Sequence, residues 1–92
     1  MLSFLPPAPA DMMNIIKTKF RKKRKALGYT QKELSTRADV SLGSLKRFES
    51  TGQISLESLL KLALVLECLG EFGEVCEVEE ERFGSIEEVI YE

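Results

Sequence analysis

The chain is predicted to be all-α, a small domain of five helices, and three observations carry that expectation. Residues 30–52, TQKELSTRADVSLGSLKRFESTG, read as two short helices joined by a tight turn. Before them, Asp11 to Leu27 carries Ile16, Phe20 and Leu27 on one side of a basic helix, with Gly28 placed to end it. After them, ISLESLLKLALVLECLG is a leucine-rich stretch opened by Ser55 and closed by Gly70. The chain has 92 residues, 43% of them apolar, which is enough for one small helical core and near the lower limit for a core without metals or disulfides.

The elements follow in order. Residues 1–10 hold three prolines and no periodicity and are expected to be a disordered lead-in. Helix 1 spans about 11–27 and bears Lys17, Lys19, Arg21, Lys22, Lys23, Arg24 and Lys25 on its other faces. Thr30 is a good N-cap for helix 2, Gln31 to Ala38, and Glu33 stands where its carboxylate reaches back to the cap N–H. Asp39 accepts a left-handed turn, Val40 plugs the corner and Ser41 caps helix 3, where Leu45 and Phe48 or Glu49 recur on one face. Two helices this short cannot bury themselves alone. The outer face of the second carries Leu42, Gly43, Ser44, Lys46 and Arg47, small, hydroxyl and basic groups. That is the construction of a helix-turn-helix whose second helix enters the major groove of DNA.

Helix 4 is apolar around nearly its whole circumference, whereas a surface helix needs one stripe. Its surplus face is expected to pair with a second copy in a two-fold dimer through Leu62, Val65, Leu66, Leu69 and Phe72. Helix 5 is weakly written, Glu71 to Glu77, anchored by Phe72 and Val75 or Cys76. The domain is expected to end near residue 76. Residues 77–92 form an acidic tail punctuated by Val78, Phe83, Ile86, Val89 and Ile90, with Ser85 and Glu88 as a capping box. Such a tail folds back, swaps onto a partner subunit or docks another protein.

Charge separates the halves. Residues 11–48 sum to about +8 and residues 49–92 to about −10, although the whole chain is only −2. That asymmetry is the footprint of a nucleic-acid surface. No apolar run is long enough to span a membrane, and MLSFLPPAPA lacks the basic and apolar regions of a signal peptide. Cys68 and Cys76 fit reduced thiols, so the expected location is cytoplasmic. The absence of histidine removes the commonest general base and, with only two cysteines eight residues apart, any plausible structural zinc site, and the glycines are isolated helix terminators. No enzyme, cofactor, metal or small-molecule effector is expected.

Over roughly residues 14–69 the chain resembles the lambda-repressor and Cro-like regulators, the XRE-type helix-turn-helix family. Gln31, Leu34, Val40, Ser41, Leu45 and Glu49 occupy motif positions with the expected residue types. Asp39 stands where the family usually has Gly, Ser35 where it has Ala, and Leu42-Gly43 where relatives often have hydrogen-bonding readers. The resemblance implies that Arg24 pairs with Glu49 across the bundle, turning the guanidinium toward a phosphate, and that Gln31 holds a phosphate oxygen at the N-terminus of helix 2. Helix 3 then presents Leu42, Gly43, Ser44, Lys46 and Arg47 to bases, Arg47 being suited to bidentate contact with guanine. Lys22, Lys32, Ser41 and Thr51 join Arg24 and Gln31 as phosphate contacts. Double-stranded DNA is the expected partner of a bacterial or phage regulator, most simply an autoregulating repressor on a palindrome. The alternative is an antitoxin-like module whose C-terminal tail neutralises a toxin-like partner protein.

Overall fold

Four α-helices and a closing 3-10 helix make up the computed structural model, α1 (Pro9–Ala26), α2 (Gln31–Ala38), α3 (Leu42–Thr51), α4 (Leu56–Val65) and the 3-10 segment Leu69–Glu74. The residues described are 8–78, and among them there is no strand. The tail beyond residue 78, with the Ser85–Glu88 capping pattern, lies outside the described residues.

Helix α1 begins earlier than the sequence suggests. Pro9 occupies its first turn, where a missing N–H costs nothing, and the Asp11 carboxylate accepts the Ala8 N–H at 3.0 Å. Residues 9 and 10 are therefore helical rather than part of a lead-in. At the other end Gly28 takes φ 82° and the Tyr29 N–H donates to the Arg24 carbonyl at 3.0 Å, a left-handed closure that satisfies orphan carbonyls. Leu27, expected on the core face, sits in this cap and is turned outward.

The capping box of α2 is formed in full: Thr30 Oγ1 accepts from the Glu33 N–H at 3.0 Å and the Thr30 N–H donates to Glu33 Oε1 at 2.9 Å. Asp39 adopts the left-handed conformation, φ 58°, and the Val40 N–H returns to the Ser35 carbonyl at 3.0 Å. Ser35 is buried, but its hydroxyl donates to the Lys32 carbonyl at 2.8 Å and leaves no polar atom unmet. Ser41 caps α3 by accepting the Ser44 N–H at 3.1 Å.

The core is one cluster, Phe20, Leu34, Ala38, Val40, Leu45, Phe48, Leu62, Ala63 and Leu66. Phe20 lies edge-on to Phe48, ring centroids 5.6 Å apart, and edge-on to Phe72 at 6.3 Å. Helix α4 stops at Val65, short of the Gly70 terminus its composition suggests. Glu67 turns left-handed at φ 64°, and the Cys68 N–H returns to the Ala63 carbonyl at 2.9 Å. The reversal brings Cys68 and Phe72 back onto the core.

Leu62 and Leu66 are wholly enclosed in the chain's own core and offer nothing to a second copy. Val65 and Phe72 are half-buried against the same core, and only Leu69 of the expected dimer set faces outward. The strongly exposed leucines of α4 are Leu56 at 67% and Leu64 at 64%, on a stripe that includes Leu60. Val75 and Cys76 are exposed and anchor nothing.

Candidate nucleic-acid interface

Leu45 and Phe48 face inward, so Gly43, Ser44, Lys46 and Arg47 are left on the open side of α3, with Leu42 half-buried at its start. An added methyl group at Gly43 meets nothing within 4 Å, so this face is unobstructed. Ser41 Oγ donates to Ser44 Oγ at 2.8 Å, which fixes both hydroxyls at the first turn. Arg47 donates through Nη2 to Gln53 Oε1, a partner the sequence reading missed. Gln53 is itself held, its N–H donating to Thr51 Oγ1 at 3.0 Å while that hydroxyl donates to the Arg47 carbonyl at 2.8 Å. Thr51, expected on a phosphate, thus closes the end of α3, and the only hint of Gln53 in the sequence is its place just past Gly52.

The other half of the site is built around Glu49. Arg24 Nε donates to its Oε2 at 2.7 Å and Nη2 to its Oε1 at 3.0 Å, a bidentate pair. Arg24 Nη1 donates to the Tyr29 carbonyl at 2.9 Å, and Gln31 Nε2 donates to Glu49 Oε1 at 2.9 Å. The helices α1, α2 and α3 are therefore tied through one carboxylate. Burial alone would push the Glu49 pKa up, but the hydrogen bonds from Arg24 and Gln31 and the charges of Arg24 and Arg21 outweigh it, and the pKa is lowered. The pair exists as the resemblance implies, and it commits three of the five guanidinium N–H donors to Glu49 and Tyr29. Arg24 is only 7% exposed, so its first role is a structural tie at the edge of the groove it helps to line.

Beside this tie lies a polar groove of about 510 Å³ lined by Arg21, Thr30, Gln31, Lys46 and Ser50, with Arg24 and Glu49 at its base. The first N–H groups of α2 open there, and Gln31 Nε2 keeps a second hydrogen for an acceptor. The groove offers cations, amide hydrogens and a helix N-terminus to an anion. Arg21 lines it and Lys22 does not. Of the seven basic residues on α1 the sequence expectation named Lys22 beside Arg24; the phase of α1, fixed by Phe20 and Arg24 pointing inward, brings Arg21 to the groove instead. Lys17 lies on the same side and donates to the Ser50 carbonyl at 3.0 Å, clasping the end of α3. Lys32 lines a separate concavity with Thr30, Glu33, Thr36 and Arg37, where the Arg37 guanidinium stacks 5.0 Å from the Tyr29 ring centroid.

Among the described residues no cluster of His, Cys, Asp or Glu is arranged to hold a metal ion, and no helix is long and apolar enough to cross a membrane. Comparison with families of known proteins matches residues 20–69 to the family described as helix-turn-helix. No curated protein and no solved structure matches the chain.

Proposed function

The chain belongs to the lambda-repressor-like (XRE-type) helix-turn-helix family and is a DNA-binding transcriptional regulator, and from that premise we propose that it is an autoregulating repressor which binds a palindromic operator as a homodimer. The observation that carries this reading is the juxtaposition of the open face of α3 with the anion-accepting groove at the N-terminus of α2. A phosphate in that groove, held by Gln31, Arg21 and Lys46, sets the register. Helix α3 then lies in the major groove with Ser41 and Ser44 leading and Arg47 placed for a guanine edge.

The reading set is thin. One bidentate arginine supplies about 1–3 kcal/mol of discrimination, and two half-sites roughly double it. Discrimination beyond that comes from the deformability of the operator's central base pairs. The exposed Leu56 and Leu64, with the half-buried Leu60 between them, form the apolar surface of α4 available to a second copy. The antitoxin-like alternative rests on a tail outside the described residues.

The test is binding of the purified protein to DNA upstream of its own gene, against scrambled DNA of equal length, at about 50 and 200 mM salt. Preference that survives the higher salt and disappears in Arg47→Ala supports the proposal. Equal, salt-sensitive binding to both DNAs refutes specific autoregulation.

A further inference from the structure

A second groove, of about 320 Å³, lies between α1 and the 3-10 segment. Its wall is apolar, built from Ile16, Phe20, Phe72 and Val75 with the half-buried Cys68 beside them, and its rim carries Lys19 and Lys23 against the single acid Glu71. None of these residues takes part in the DNA-facing site. Lys19 and Lys23 each stand two positions from Arg21, about 200° around α1, and so lie on the side away from the anion groove.

Fourteen residues, 79–92, follow the described chain, and they carry six Glu and one Arg. Their apolar residues are Phe83, Ile86, Val89, Ile90 and Tyr91, and the last three of the isoleucine–valine set recur at i, i+3 and i+4 after Ser85. That pattern is an apolar stripe flanked by carboxylates, the complement of an apolar groove flanked by ammonium groups. The geometry of the chain permits the match. Val75 is itself part of the wall, and the four residues 79–82 before the docking segment reach about 13 Å when extended. A short tether of this kind holds its segment near the groove at millimolar effective concentration, so weak contacts suffice.

We propose that residues 83–90 of this chain dock in the α1–3-10 groove, their apolar side on Phe20 and Phe72 and their carboxylates toward Lys19 and Lys23. The contact is intramolecular and leaves the anion groove and α3 free. The tail then completes the core of a short chain instead of competing with DNA.

Cys68 lines the groove and reports on its cover. In full-length protein carrying Cys76→Ser, the rate of maleimide labelling at Cys68 is compared among the unaltered tail, Phe83→Ser/Ile86→Ser, and Lys19→Glu/Lys23→Glu. Circular dichroism checks that helicity is kept, and the two variants change opposite sides of the contact. Labelling is expected to rise about tenfold in both, at every protein concentration, with operator affinity unchanged in the tail variant. Equal rates in all three proteins would overturn the proposal. Protection that grows with protein concentration would overturn it too, by making a second copy the occupant.

Discussion

Replacing Arg24 by Met keeps much of the side chain's length while removing every donor to Glu49. The carboxylate then retains Gln31 alone, and the Tyr29 carbonyl loses its partner. Breaking a well-buried pair from one side costs about 3–5 kcal/mol. Here both side chains are under a tenth exposed, yet the pair floors a groove open to water, so about 2–4 kcal/mol is expected after that screening. For a domain of this size that is a fall of roughly 10–25 °C in Tm. The double variant Arg24→Met/Glu49→Leu removes both charges and should recover most of the loss, because an apolar pair of similar volume is often neutral. The pH dependence follows from the lowered Glu49 pKa. The pair's contribution is complete above the ordinary Glu value of 4.5 and is lost as pH falls through the depressed folded value, since acid protonates the carboxylate and unties it. The Tm gap between the native protein and Arg24→Met should therefore narrow below pH 4.5. Urea denaturation of the four proteins in the cycle, repeated at neutral and acid pH, gives the coupling energy. A loss under about 0.5 kcal/mol in Arg24→Met would refute the role assigned to this tie.

Other residues give sharper separations of stability from binding. Gly43→Ala should stabilise α3 by about 0.5 kcal/mol, since nothing obstructs a methyl there, while operator affinity falls because the helix stands further off the bases; thermal melts and a binding isotherm on the same sample read both. Gly52→Ala should destabilise by about 1–3 kcal/mol, because φ is 83° and the new Cβ would lie 3.1 Å from Met13 Cβ, which equilibrium unfolding detects. Gln53→Ala should weaken operator binding by about 1 kcal/mol and leave non-specific binding intact, as Arg47 loses its support. A gain in operator affinity would mean instead that Gln53 withholds Arg47 from the base.

The parts legible in the sequence were those written locally. Thr30 with Glu33, Ser41 and Gly28 each act within a few residues of themselves, and each does so where the residue type demands. The Arg24–Glu49 tie spans 25 positions and came through family resemblance, which gave the partners and turned the guanidinium toward a phosphate, but not its further bond to the Tyr29 carbonyl. The end of α4 was not legible because Glu67 has no intrinsic preference for the left-handed region; packing of Cys68 and Phe72 on the core holds it there. The same packing hid which leucines face inward. A helix apolar on all sides gives no contrast from which to read a phase, so the sequence does not separate the enclosed Leu62 and Leu66 from the exposed Leu56 and Leu64. Gln53 and Arg21 owe their roles to the placement of loops and helix phase, which composition does not encode.

A titration of isotopically labelled protein with operator duplex, followed by amide chemical shifts, tests the DNA-facing surface of α2 and α3 most directly. The largest shifts are expected at Gln31 and Lys32 and along Ser41 to Arg47, with α4 little changed apart from residues meeting a second copy. Large shifts confined to the 3-10 segment and the Lys19–Lys23 side of α1, with α3 silent, would contradict that placement.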